Sequence, residues 1–106
     1  MYQVDDYVDK NGVSPFSEWK AAVKHEEAKI AMSRVFCLQH AGLRCPYRKD
    51  LKLEQMYELR SKEDGIRVYF FPFGAGFIIL GAGFKDTQKQ DIADCLERMR
   101  DFKQNF

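Results

Sequence analysis

Two strand-like runs, Met56 to Arg60 and Ile66 to Phe71, flank the turn segment Ser61-Lys62-Glu63-Asp64-Gly65, and their side chains favour a single hairpin register. With Arg60 opposite Arg67, Leu59 meets Val68 and Tyr57 meets Phe70. Four apolar side chains then share one face, as strand alternation requires. A slip of one residue would set Leu59 across from Arg67. The favoured register collects Glu58, Arg60, Arg67 and Tyr69 on the opposite face, away from the expected core. Two arginines directly opposite one another repel. Either Glu58 and other carboxylates neutralise them, or an anion such as a phosphate, matched to the guanidinium fork, sits between them.

The remaining elements build outward from this hairpin. Pro72 to Gly76 turns the chain, and Phe77-Ile78-Ile79-Leu80 reads as a further strand. The GxG triplets at 74–76 and 81–83 have no βαβ context, so their glycines are expected to serve a turn and a bend or bulge at the strand end. Upstream, Tyr2 to Val8 reads as a short strand that stops at the turn signal Lys10-Asn11-Gly12. Ser14 is placed to cap a helix with Pro15 at its first position, where the missing N–H costs nothing. Helical spacing runs through Phe16, Trp19 and Val23, then through Ala31, Val35 and Leu38, with Gly42 as the stop and Pro46 beyond it. A span of about 25 residues is long for a small domain, which predicts two helices broken near Lys24-His25. The last helix, Thr87 to Asn105, carries the stripe Ile92, Cys95, Leu96, Met99, Phe102 and Phe106. The expected fold is α+β, in the order β-α-α-β-β-β-α, with helices packed against an antiparallel sheet in a single domain over 1–106.

Composition narrows the function class. The chain has nine Phe, five Tyr and one Trp and is 45% hydrophobic, which supports one core and argues against disorder. No apolar run approaches the roughly 20 residues that cross a bilayer, and the start Met1-Tyr2-Gln3-Val4-Asp5-Asp6 lacks a secretory signal pattern. Three cysteines without a CxxC pair point to a reducing cytoplasm. The net charge of +1 hides an asymmetry: residues 32–89 carry ten basic against six acidic side chains. A polyanion, if one binds, meets this middle segment.

Within it, Lys85 and Lys89 stand at the start of the last helix, with Thr87 as the candidate cap. Lysine there opposes the helix dipole, whereas the free N–H groups favour an anion. Asp86 and Asp91 offer local counter-charge. Arg44, Arg48, Lys49 and Lys52 form a basic stretch around Pro46-Tyr47, read either as a patch contacting a phosphate backbone or as a solvated loop. Cys95 lies on the apolar stripe and reads as a core thiol. Cys37, Cys45 and His40 lack paired zinc-ligand spacing, so no metal is expected. His25 and His40 are expected at the surface.

MYELR at 56–60, IRVYFF at 66–71, GFKDTQK at 83–89, IADCLERMRDF at 92–102 and SPFSEW at 14–19 resemble the phage-related addiction-module killer proteins, the HigB-like branch of the RelE/ParE toxin superfamily. The resemblance covers nearly the whole chain in order. It implies a cytoplasmic toxin of a type II toxin–antitoxin module, held by a cognate antitoxin that is often a small helix-turn-helix protein. It also implies a ribosome-dependent mRNA endonuclease in which the ribose 2′-OH attacks the adjacent phosphate without metal or other cofactor. Carried over residue by residue, the catalytic cations are Arg60, Arg67, Lys85 and Lys89. The RNA-binding set is Arg44, Arg48, Lys49, Lys52 and Tyr69. Arg67→Ala is expected to remove toxicity and leave the fold intact. The chain departs from the pattern at Gly81-Ala82-Gly83, where relatives carry a histidine. It departs again at Asp86, Gln90 and Asp91, in place of further Lys, Thr and Pro, and at Phe102, where some have tyrosine. Each change removes a proton-transfer group or a charge. A ParE-like protein that binds DNA gyrase without catalysis, and a degenerate toxin kept as an antitoxin-binding domain, are the alternatives.

Overall fold

The computed structural model describes residues 1–105; Phe106, the end of the expected stripe, lies outside the described residues. The chain opens with strand β1 (Gln3–Asp6) and helices α1 (Pro15–Ala22) and α2 (His25–Ala41). Strands β2 (Arg48–Leu53), β3 (Met56–Ser61), β4 (Ile66–Phe73) and β5 (Gly76–Phe84) follow, and helix α3 (Gln88–Gln104) comes last. Short 3-10 turns at Gly42–Arg44 and Lys85–Thr87 lead into β2 and α3.

Local chemistry explains most boundaries. The Ser14 hydroxyl accepts from the Ser17 amide at 3.1 Å and caps α1, with Pro15 at its first position. The helical region does break near Lys24: the Glu27 carboxylate accepts from the Lys24 amide at 2.9 Å and starts α2 afresh. Gly42 ends α2 at φ +58, and the Tyr2 ring lies so close that a Cβ there would meet it at 2.6 Å. Thr87 stands at the start of α3 but does not cap it; its hydroxyl donates to Asp91 at 2.7 Å instead.

The sheet runs β1-β5-β4-β3-β2, and the β3–β4 hairpin pairs Tyr57 with Phe70, Leu59 with Val68 and Arg60 with Arg67, as the sequence predicts. Three features differ from expectation. β1 pairs parallel to β5, so the sheet is mixed rather than antiparallel. Residues 48–53, expected as a basic loop, form β2, an edge strand paired to β3 and interrupted by a bulge near Lys52, whose φ is +59. β5 continues through Gly81-Ala82-Gly83, pairing Gly81 with Tyr69 and Gly83 with Arg67, with a register shift between Tyr69 and Phe70. The bulge expected of these glycines is there, but inside the strand.

Helices cover both faces of the sheet. On one, Phe16, Ala31, Val35 and Leu38 of α1 and α2 pack on Leu59, Val68, Phe70 and Ile79. On the other, Cys95 and Met99 of α3 pack with Met56, Tyr69, Phe71, Ile78 and Leu80, flanked by Ile92, Leu96 and Phe102. β4 is therefore buried on both sides along Ile66–Phe71. The face carrying Arg67 and Tyr69 is a second core. This α+β arrangement is consistent with a RelE-like fold. Among the described residues no helix is long and apolar enough to cross a membrane.

Candidate nucleic-acid interface

The hairpin register sets the charge arrangement. Glu58 lies two residues before Arg60 on β3, so both side chains project from the same face, with Arg67 directly across on β4. The Glu58 carboxylate is fully buried, and one oxygen, Oε2, lies 3.0 Å from Nε of Arg60 and 3.0 Å from Nε of Arg67. The first contact is a directed hydrogen bond; the second is an ion pair whose N–H does not point at the oxygen. Gln88 at the start of α3 donates to the other oxygen, Oε1, at 2.8 Å. Arg67 turns Nη1 to the Ser61 and Ile66 carbonyls at 3.4 and 3.2 Å. Of the two readings of opposed arginines, carboxylate neutralisation is the one realised.

Burial separates the two arginines. Arg67 is 5% exposed, so its expected position away from the core is corrected: α3 covers this face. The Arg60 side chain keeps 24% exposure and looks into a surface cleft of about 530 Å³. Arg34 of α2, Arg48 and Lys49 of β2, Arg60, and Lys62 of the hairpin turn line this cleft, against the acids Glu63 and Asp64. Five cations facing two carboxylates make a positive concavity of the size that takes small ligands, about 300–1,000 Å³. Tyr47, 40% exposed, also lines it, with the Arg34 guanidinium 3.7 Å from its ring centroid. The Arg34 Nε is buried and has no hydrogen-bond partner among the described residues. Arg48 lies 5.6 Å from the Tyr57 ring centroid, which holds it along the cleft wall.

The expected site residues thus divide. Arg48, Lys49 and Arg60 come together in the cleft; Arg67 stands behind Arg60, linked through Glu58. Lys85 is exposed in a shallow depression beside Asp64 and Gly65, and Asp64 also borders the cleft. Lys89 is exposed in the first turn of α3, and Arg44 and Lys52 are exposed outside the cleft lining. Tyr69 is fully buried in the second core, its hydroxyl without a partner among the described residues, so its ring is not presented to a base. Burial, and next the Glu58 charge, push its pKa upward. Sequence reasoning missed Arg34, Tyr47 and Lys62. Tyr47 had a signal, an exposed-type aromatic inside a basic stretch; Arg34 had none, because α2 meets the hairpin only in three dimensions.

The glycines opposite α3 have a steric role. A Cβ at Gly81 would meet Arg98 Nη1 at 2.6 Å and Cys95 Sγ at 3.3 Å, and one at Gly83 would overlap the Asp91 carboxylate. Arg98 donates to the Leu80 carbonyl at 3.1 Å from this position. Glycine lets α3 lie close on β5. Burial raises the Asp91 pKa, which the Thr87 hydroxyl partly offsets.

No curated protein matches the chain. Residues 17–100 match the family described as Phage derived protein Gp49-like (DUF891), a stretch that runs from α1 through the cleft residues to α3. The chain belongs to this phage-derived Gp49-like family.

Proposed function

We propose that the chain is the toxin of a type II toxin–antitoxin module, HigB-like within the RelE group, and that it is a ribosome-dependent mRNA endonuclease. The observation that carries this reading is the open cleft with Arg34, Arg48, Lys49, Arg60 and Lys62 around an exposed tyrosine. RNA presents phosphates to cations and unstacked bases to aromatic or guanidinium planes, and the cleft supplies both. Arg60 is the phosphate-facing cation: its Nε is held by Glu58, while its side chain stays partly exposed in the cleft lining. Tyr47 and Arg34 supply the stacking planes, in place of Tyr69 of the expected RNA-binding set, which is buried. In strand scission the 2′-oxygen attacks the adjacent phosphorus, the 5′-oxygen leaves, and negative charge grows on the phosphoryl oxygens that the cleft cations face. Arg67 acts as a positioning residue through Glu58. Lys85, separated from the cleft by Asp64, reaches the outer end of a longer RNA.

Induced expression in a bacterial host tests the reading. Growth arrest with cleavage of translated messages is expected, and the Arg48→Ala, Lys49→Ala double variant should lose at least about 10²-fold in cleavage rate. Arrest with intact messages and a raised DNA-damage response would move the target to gyrase. No arrest at all would leave an antitoxin-binding domain. A small helix-turn-helix protein encoded beside the gene is the proposed antitoxin, and co-expression should yield a co-purifying complex.

A further inference from the structure

The two cysteines nearest the cleft touch each other. Cys37 stands in the last turns of α2, and Cys45 follows the 3-10 turn that reverses the chain toward β2. Their sulfurs lie 2.9 Å apart, with the Cys45 thiol donating to Cys37 Sγ. The reversal is fixed rather than incidental. Gly42 takes φ +58, the Cys45 amide donates to the Gly42 carbonyl at 3.0 Å, and the Arg48 amide donates to the Cys45 carbonyl at 3.1 Å. Cys45 is buried in the core beneath α2, while Cys37 is half-exposed. The third cysteine, Cys95, is fully buried on the opposite side of the sheet among the α3 contacts, out of reach of this pair.

We propose that Cys37 and Cys45 form a reversible disulfide when the protein meets a peroxide, making the start of the cleft wall a redox-modified site. The half-exposed Cys37 meets the oxidant first. Its thiolate attacks one peroxide oxygen, the O–O bond breaks, and Cys37 becomes a sulfenic acid while the other oxygen leaves as water with the thiol's proton. The Cys45 sulfur then attacks Cys37 Sγ; the S–O bond breaks, the S–S bond forms, and the hydroxyl leaves as water with the Cys45 proton. Two thiols lose two electrons and one peroxide becomes two waters. Bond formation needs the sulfurs to close to about 2.05 Å, a displacement smaller than a side-chain rotamer change. Burial and the hydrogen bond to Cys37 push the Cys45 thiol up to about 11, so Cys45 is the resolving rather than the attacking thiol. The bridge would tie α2 to the segment that carries Tyr47 and Arg48, whatever ligand the cleft takes.

The full chain, treated with hydrogen peroxide while folded, alkylated and digested, tests this by mass spectrometry. The expected product is a Cys37–Cys45 linked peptide, lighter by two hydrogens and released by dithiothreitol, with Cys95 recovered as a thiol. The oxidised protein should melt about 5–10 °C higher, since the bridge closes a short loop in the unfolded chain. Cys37→Ser, at a half-exposed position, should lose both the linked peptide and the shift in melting temperature. Recovery of all three thiols alkylated, or of Cys37 as sulfinic acid beside an alkylated Cys45, overturns the proposal.

Discussion

The α3 side of the sheet and the cleft beside β2 are both built from charged and aromatic side chains, yet they treat them in opposite ways. Under α3, Glu58, Arg67 and Tyr69 are removed from water, and Glu58 and Arg67 are held by each other and by Gln88 and backbone carbonyls. In the cleft, Arg48, Lys49 and Lys62 stay solvated, and the two carboxylates there do not match the cations. A buried ion must be neutralised where it sits, or folding bears its desolvation; a solvated one is free to wait for a ligand. Arg60 belongs to both regions, and its position lets the buried carboxylate orient a cation that solvent can reach. Identical residue types are structural in one region and available for binding in the other, and burial alone decides which.

The largest effect should follow from breaking the buried side. Glu58→Ala leaves Arg67 in a low-dielectric site without its counter-charge, and Arg67→Ala leaves the carboxylate with Arg60 and Gln88 only. Each should cost about 3–5 kcal/mol, read as a lower midpoint in urea unfolding. Arg67→Ala is therefore expected to lose toxicity by losing fold, reversing the expectation from sequence alone. An Arg67→Ala protein with unchanged midpoint would mean that α3 does not seal this face in solution.

The pH dependence probes the same layer further along α3. The Tyr7 hydroxyl is buried and donates to Asp101 at 2.6 Å, and burial, then that hydrogen bond, raise its pKa to about 12 from 10.0. A group with its folded pKa raised stabilises the fold fully below the unfolded value and loses that contribution as pH climbs through the folded one. Stability on the order of 2–3 kcal/mol should thus be lost between pH 10 and 12. Tyr7→Phe should flatten that part of the profile, measured by denaturant midpoints at each pH against the unaltered protein.

How far the sequence was legible follows the same division. The hairpin register could be read because a slip of one residue would place Leu59 against Arg67, and the α1 cap and the α2 stop could be read because Ser14, Pro15 and Gly42 act locally, whereas the Thr87 cap was misread because its hydroxyl turns to Asp91. What could not be read was which faces are covered. β4 carries Val68 and Phe70 on one side and Tyr69 and Phe71 on the other, a two-sided apolar pattern that marks a central strand. The flanking arginines and Glu58 obscured that pattern. β2 was hidden because RKDLKL reads as a loop; charge on an edge strand guards against pairing with other chains and erases the usual strand signal. The cleft was half legible: Arg48, Lys49 and Arg60 are local features, while Arg34 arrives from a distant helix.

Tyr69 gives a smaller effect of opposite sign. Its buried hydroxyl has no partner among the described residues, so Tyr69→Phe removes a desolvated polar group at nearly constant volume and should stabilise the protein by about 1 kcal/mol. The same variant should leave RNA affinity unchanged, because the ring does not reach the cleft. A loss of binding at raised stability would return Tyr69 to the interface.

The smallest stability change should come from the cleft itself, and there the binding change isolates the comparison. Lys49 and Lys62 are exposed and neither is held in an ion pair among the described residues, so Lys49→Ala with Lys62→Ala should shift stability by no more than about 0.5 kcal/mol. Each solvated lysine that contacts a phosphate releases condensed counterions from single-stranded RNA, contributing about 0.7 to the slope of log affinity against log salt. The double variant should bind a short single-stranded RNA more weakly at low salt, with a slope shallower by about 1.4. Lys10→Ala with Lys29→Ala removes the same charge from exposed positions outside the cleft lining and should keep the original slope. Equal slope changes for both pairs would mean that the protein attracts RNA through its overall charge; a change confined to Lys49 and Lys62 would place the phosphates in the cleft, where the cations were left unneutralised.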